Sequence, residues 1–119
     1  MALKTLLRNM LRGKSMNNLK TISVTQFSSE VKDQDCLIID VRSDAEFAEQ
    51  HVKGATLFPL DRLCEEDVLN AAPENGSPIY ILCKAGGRAL KAAKRIAPKT
   101  SRSICVVEGG TDACIKAGM

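Results

Sequence analysis

A chain of 119 residues, of which 45% are hydrophobic and 26% charged, can bury one hydrophobic core but is too short for two domains of ordinary size. The net charge of +3 is uneven, since residues 1–20 contain five basic residues and no acid, and residues 21–119 therefore carry −2. Aromatic residues make up only 3% of the chain, which leaves few surfaces on which bases could stack. A body of this charge and composition excludes a nucleic-acid-binding role.

Residues 1–20 are predicted to form a basic leader ahead of a folded body, residues 21–119. Within residues 1–15, apolar side chains follow helical spacing, and Lys4, Arg8 and Arg12 form a row one turn apart. This short amphipathic segment cannot span a bilayer, and it lacks the continuous apolar core of a secretory signal. Three interpretations remain open: a mitochondrial presequence, a contact with a membrane surface, or a disordered or loosely docked segment.

Strand and helix signals alternate along residues 21–119. In chain order they predict a strand at 21–24, a helix capped by Thr25 and ending at Val31, a strand at 37–39, a helix capped by Ser43 or Asp44 and ending at Gln50, a strand at 55–58, a helix near 65–70, a loop at 73–78, a strand at 79–82, a helix at 88–97, a strand at 103–107 and a helix at 111–117. The strands are too apolar to have a solvated face. This pattern predicts an α/β fold, a parallel sheet with helices on both faces.

Three polar segments, residues 40–42, 83–88 and 108–110, each follow the carboxyl end of a predicted strand. Parallel strands end at the same edge of a sheet, and ligands of open α/β sheets bind outside these carboxyl ends. We therefore expect the three segments to share one rim. At this rim Asp40 and Arg42 could form an ion pair that supports the neighbouring loop.

The segment Cys83-Lys84-Ala85-Gly86-Gly87-Arg88 joins an apolar strand to a helix. Unpaired amides at a helix N-terminus, together with the helix dipole, favour a negatively charged sulfur. We therefore expect the Cys83 sulfur to be an ionised nucleophile that is accessible and faces backbone donors. Gly86 and Gly87 permit the backbone to approach the sulfur closely. The planar guanidinium of Arg88 can bind an anion through two parallel hydrogen bonds, and Lys84 could steer anions towards the thiol.

Several segments resemble, in order and spacing, the single-domain rhodaneses, a family of sulfurtransferases. They are residues 37–42, Glu46-Phe47, residues 51–55, the loop at 83–88, residues 107–113 and residues 116–118. The resemblance implies a rhodanese-like fold with a five-stranded parallel sheet. It also implies that Cys83 takes the outer sulfur of a donor, which is either a small anion such as thiosulfate or a protein or small-molecule persulfide. Cys83 then holds this sulfur as a persulfide and passes it to cyanide, a thiol or a protein acceptor, without a cofactor or metal.

Two other interpretations remain. Phosphatases of the dual-specificity kind and arsenate-reductase-like enzymes also place a Cys-to-Arg loop after a strand, but their loops are longer than the four residues that separate Cys83 from Arg88 here. A smaller loop suits one added sulfur better than a phosphate group. A rhodanese fold could also serve as a non-catalytic interaction module, although the intact Cys83, Gly86 and Arg88 favour an enzyme.

The five cysteines are odd in number and include no C-x-x-C pair, which indicates a reducing compartment without a disulfide framework or a zinc site. We expect a cytoplasmic protein, or a mitochondrial or membrane-associated one if the leader or a longer chain directs it there. Cys36 and Cys105 are interpreted as small buried hydrophobes, and Cys64 as part of an exposed segment. Cys114, where the family usually has tryptophan, is interpreted as a packing change, and His51 as part of a structural turn.

Overall fold

The computed structural model describes residues 17–84 and 87–119. One sheet contains five strands, all parallel, in the order β1-β5-β4-β2-β3. The strands are β1 (Leu19–Ile22), β2 (Leu37–Asp40), β3 (Thr56–Leu57), β4 (Ile79–Leu82) and β5 (Ile104–Val107). The predicted five-stranded parallel α/β fold is therefore confirmed.

Helices cover both faces of this sheet. They are α1 (Val24–Val31), α2 (Asp44–Glu49), α3 (Glu65–Ala71), α4 (Gly87–Ile96) and α5 (Gly110–Lys116), with single 3-10 turns at Leu60–Arg62 and Ala97–Lys99. Val68 of α3 and Ala92 of α4 belong to the core on one face, whereas Phe27 of α1 and Cys114 of α5 belong to the core on the other. Among the described residues, no helix is long and apolar enough to cross a lipid bilayer.

Side chains of the central strand β4 alternate between the two cores. Ile79 and Ile81 pack in the core beneath α3 and α4, and Tyr80 and Leu82 pack in the core beneath α1 and α5. All four are completely buried. This is the period of two that an extended chain imposes, and with both faces covered it requires an unbroken apolar strand.

The first strand and helix begin earlier than predicted. β1 spans residues 19–22 rather than 21–24, because Leu19 pairs with Ile104 at the start of β5. The cap of α1 is Ser23 rather than Thr25, since the Ser23 hydroxyl accepts a hydrogen bond from the Gln26 amide at 3.1 Å. Leu19 and Lys20, which the sequence division places in the leader, thus lie in the sheet. The amphipathic helix predicted within residues 1–15 lies outside the described residues.

The remaining boundaries differ from prediction by a residue or two. β3 is limited to Thr56–Leu57 at the edge of the sheet, α4 begins at Gly87 and ends at Ile96, and α2 ends at Glu49. The end of α4 is set by Pro98, which occupies the following 3-10 turn and has no amide hydrogen to continue the helix. Ser43, not Asp44, caps α2: its hydroxyl accepts a hydrogen bond from the amide of Glu46, whose carboxylate accepts one from the Ser43 amide.

Candidate active site

The described parts of the three polar segments meet at one rim, as predicted. β2, β4 and β5 are adjacent and parallel, so residues that follow them emerge at the same edge of the sheet. Thr111, in the first turn of α5, joins them directly. Its amide donates a hydrogen bond to the Cys83 carbonyl oxygen at 2.7 Å, and its hydroxyl donates one to Asp40 Oδ2 at 3.3 Å. Sequence reasoning did not single out Thr111 for this role, because both of its partners are distant in the chain.

Cys83 follows the last residue of β4, and its side chain lies in the core on the α4 side of the sheet. The residue is only 1% exposed. This burial corrects the expectation of an accessible sulfur, because the core that covers the end of β4 also covers Cys83. Within the loop whose backbone amides are expected to face the sulfur, Ala85 and Gly86 lie outside the described residues.

Gly110 lies against the start of the loop at residues 83–88, which contains the predicted nucleophile Cys83 and is called the nucleophile loop below. It adopts a φ of +60°, and an added Cβ would lie 1.9 Å from the Cys83 carbonyl oxygen and 2.9 Å from that of Lys84. Only a residue without a side chain allows this approach. The start of α5 therefore packs directly on the first two residues of the loop, and the Thr111 hydrogen bond fixes that contact.

Asp40 and Arg42 form the predicted ion pair. Arg42 Nη2 lies 2.8 Å from Asp40 Oδ2, and the two side chains are 4% and 0% exposed. The carboxylate also accepts hydrogen bonds from the amide and Nε of Arg42, both at 3.0 Å, while Arg42 Nη2 donates to the Gln50 carbonyl oxygen at 2.7 Å. This buried pair joins the end of β2 to the end of α2, and the Thr111 hydroxyl links Asp40 to the segment that binds Cys83. The ion pair is thus confirmed, while its support of the loop at residues 83–88 stays a prediction.

Arg88 lies in the first turn of α4, but its fork is engaged by another residue. Both terminal nitrogens donate to the Glu46 carboxylate, Nη1 to Oε1 at 2.7 Å and Nη2 to Oε2 at 2.9 Å. These bonds, with a further one from the Ser43 amide, lower the pKa of Glu46, and the pair raises the pKa of Arg88. A smaller contribution to the Arg88 shift comes from attraction to Cys83. The Arg88 guanidinium, which was expected to bind a substrate anion, therefore binds the carboxylate of the protein's own Glu46.

The sequence indicates one of the two contacts of Glu46, its role in the capping box, but not its contact with Arg88. Ser43 and Glu46 have the spacing of a capping box, which predicts a helix start. Nothing local indicates that the same carboxylate also binds Arg88, 42 residues further along the chain. The contact exists because α2 and α4 begin at the same rim.

Two cavities open at this rim. A cleft of about 390 Å³ has Arg88 on its wall and includes the apolar residues Val41, Pro59 and Leu60 and the exposed Arg62–Asp44 ion pair. A smaller cavity of about 270 Å³ is lined by Arg42, Glu46, Glu49, Gln50, Lys84 and Asp112. Lys84 is exposed, and Gly87 is the exposed first residue of α4. Within residues 17–84 and 87–119, no cluster of side chains could hold a metal ion.

His51 makes a local contact, and the four cysteines other than Cys83 are buried or half-buried. His51 Nδ1 lies 2.8 Å from the Phe47 carbonyl oxygen, and its ring stacks on Phe47 with centroids 3.8 Å apart. Cys105 and Cys114 are buried, and burial raises the pKa of each thiol to about 11. Cys36 and Cys64 are half-buried, and these four cysteines carry free thiols. Cys64 is therefore less exposed than the sequence suggested, since it immediately precedes α3.

Alkylation should separate Cys83 from the other buried thiols. At pH 8, about one in a thousand molecules carries an ionised thiol at a pKa near 11, so Cys105 and Cys114 should resist iodoacetamide in the native protein. Cys83 should be labelled faster, because the N-terminus of α4 favours its thiolate. Peptide mass mapping over time measures the three rates. Cys105, nearly as buried on the adjacent strand, is the matched control, and equal labelling of Cys83 and Cys105 would contradict the expectation.

Comparison with known proteins agrees with this architecture. The sequence model of the rhodanese-like domain matches residues 23–117. A structural-genomics target from Staphylococcus saprophyticus is 32% identical, with a TM-score of 0.64 over 80% of this chain and 92% of its own. A rhodanese-like domain protein from Staphylococcus aureus is 30% identical, with a TM-score of 0.63 over 80% of this chain and 90% of its own. A human single-domain sulfurtransferase, 18% identical, has the same fold, with a TM-score of 0.61 over 81% of this chain and 95% of its own. The chain belongs to the rhodanese-like domain family.

Proposed function

We propose that this protein is a sulfurtransferase that carries a sulfane sulfur on Cys83. The observation that supports this most directly is the position of Cys83, at the carboxyl end of β4 and just ahead of the N-terminus of α4. A helix N-terminus stabilises both a thiolate and the anionic persulfide that it becomes. Family membership and the sulfurtransferase named among the structural neighbours support the same chemistry.

The proposed reaction has two steps and requires no oxidant. The Cys83 thiolate attacks the outer sulfur of a donor such as thiosulfate, the S–S bond of the donor breaks, and sulfite leaves with the bonding electron pair. An acceptor, either cyanide, a thiolate or a protein thiol, then attacks the outer sulfur of the Cys83 persulfide. This step forms thiocyanate or a new persulfide and regenerates the Cys83 thiolate.

The residues around Cys83 would hold it in position for both steps of this reaction. Thr111 and Gly110 fix the carbonyl of Cys83, and the buried Asp40–Arg42 pair supports the rim beside it. Lys84 would interact with donors at the opening, since it is exposed and adjacent to the nucleophile. The burial of Cys83 adds a requirement: its sulfur must become accessible to the donor during turnover.

The location and the partners of the protein form part of the proposal. We propose a cytoplasmic protein with small-molecule donors and with thiol, cyanide or protein acceptors, and no nucleic-acid partner. The basic residues within 1–15 are suited to contact an anionic membrane surface, or to act as a mitochondrial presequence.

Intact-mass measurement tests the proposed function. Incubation with thiosulfate should add the mass of one sulfur atom, and cyanide should remove it with formation of thiocyanate. Cys83→Ser should abolish both changes. Cys64→Ser, which removes a half-buried thiol before α3, should leave them intact and serves as the matched control.

A phosphate ester incubated in parallel tests the alternative enzyme class. If inorganic phosphate is released in a reaction that depends on Cys83, and no sulfur is taken up, the protein is a phosphatase and not a sulfurtransferase. If neither reaction occurs, the non-catalytic interaction module becomes the better description.

A further inference from the structure

We propose that Glu46 is a specificity-determining residue: by occupying and neutralising Arg88, it turns the site away from small dianionic donors such as thiosulfate and towards organic persulfides. This inference rests on the proposed function, since it concerns the donor for the same cysteine. It names a substrate class, R–S–SH, in which the transferred sulfur is attached to an organic thiol.

The contact between Glu46 and Arg88 involves the nitrogens that an anionic donor would need. Both terminal nitrogens of Arg88 are bound to Glu46, at 2.7 and 2.9 Å, in the bidentate geometry that a sulfonate group would otherwise adopt. The carboxylate is itself held in place, because Glu46 Oε1 also accepts hydrogen bonds from the amide and hydroxyl of Ser43, at 3.0 and 2.9 Å. A thiosulfate ion would have to displace a fixed, charged competitor.

The charges that line the smaller cavity do not compensate for the loss of Arg88 as an anion-binding group. Arg42 is already paired with Asp40. Lys84 lines the smaller cavity together with Glu49 and Asp112, neither of which is ion-paired with a cation of the described residues. Two uncompensated carboxylates against one ammonium repel a dianion more strongly than they repel a donor of lower charge.

The larger cleft provides space for an organic group. Its volume of about 390 Å³ falls within the range of small-molecule pockets, and Arg88 links it to the nucleophile loop. Thiosulfate has no carbon atoms to pack on the apolar residues Val41, Pro59 and Leu60. The organic part of a persulfide can bury its apolar surface there.

The chemistry of the proposed donor balances without an added reagent. The Cys83 thiolate attacks the outer sulfur of R–S–SH and forms a new S–S bond. The S–S bond of the donor breaks, and R–S⁻ leaves with the electron pair and takes a proton from solvent. The product is Cys83–S–SH, the same persulfide that thiosulfate would form.

The test compares how quickly two donors load sulfur onto Cys83. Thiosulfate and cysteine persulfide are the probes, and intact mass gives a second-order rate constant for each without any acceptor. We expect the wild-type protein to load faster from cysteine persulfide. Glu46→Gln should accelerate loading from thiosulfate about tenfold, because it frees the charge and both terminal nitrogens of Arg88. It should accelerate loading from cysteine persulfide by a smaller factor, because that donor carries less negative charge than the thiosulfate dianion.

The variant is designed to leave the helix start intact. Glutamine retains a side-chain oxygen that can accept from the Ser43 amide, and it is the other residue found in a capping box. Glu65→Gln is the matched control, because Glu65 binds Arg95 at 2.8 Å through a similar ion pair that lines neither cavity. It should change neither loading rate.

Ionic strength provides a readout that a structural effect of the variant would not mimic. The rate of loading from thiosulfate should increase with salt in the wild-type protein, because salt screens the repulsion of the dianion, and should decrease with salt in Glu46→Gln. The proposal is overturned if the wild-type protein loads at least as fast from thiosulfate, or if Glu46→Gln fails to accelerate that donor. If Cys83 takes sulfur from neither donor, the proposed function itself fails.

Discussion

Replacing Gly110 by alanine is expected to lower the free energy of unfolding by about 3 kcal/mol or more and to abolish sulfur loading on Cys83. The new Cβ would lie 1.9 Å from the Cys83 carbonyl oxygen, a backbone atom that cannot rotate away. Either α5 or the start of the nucleophile loop must move. Both movements break the hydrogen bond from the Thr111 amide that holds Cys83.

Urea unfolding measures the stability of Gly110→Ala, and intact mass after incubation with thiosulfate measures its loading. Gly76→Ala is the matched control, because Gly76 also has a positive φ, +74°, but nothing lies within 4 Å of its added Cβ. That control should lose only the cost of a left-handed conformation, about 1–2 kcal/mol, and should load normally. Equal effects in the two variants would show that the contact with Cys83 is unimportant.

Replacing Asp40 by asparagine is expected to destabilise the protein by about 3–5 kcal/mol, because it leaves the guanidinium of Arg42 buried without a counter-charge. The substitution is nearly isosteric, so the loss cannot come from a cavity. Asp40 is fully buried and accepts hydrogen bonds from both Arg42 and Thr111. Since the free energy of unfolding of native proteins is about 5–15 kcal/mol, this change should remove a large part of the stability of the protein.

The same unfolding measurement provides the control for this second effect. Asp44→Asn removes the carboxylate of the exposed Asp44–Arg62 ion pair at 3.0 Å, where water screens both charges, and should change stability very little. A loss in Asp40→Asn no larger than in Asp44→Asn would contradict the assigned role of the buried pair.

The fold could be predicted because its signals are local. The unbroken apolar runs at residues 37–39 and at Ile79–Leu82 predict strands covered on both faces, and the chain between them includes helix caps such as Ser43. The position of β1 was missed by two residues, because its start depends on pairing with β5, 85 positions away at Leu19 and Ile104. A boundary set by a distant partner has no local signature.

The candidate site was predictable in part. Local signals were enough to predict that Cys83 and Arg88 flank a strand-to-helix loop and that residues 40–42 and 108–110 each follow a strand, because order and spacing along the chain decide these positions. Three features become visible only in the folded chain: the contact of Arg88 with Glu46, the hydrogen bond from Thr111 to the Cys83 carbonyl oxygen, and the burial of Cys83. These contacts join segments far apart in the chain, so they exist only once the parallel sheet brings its carboxyl ends to one edge.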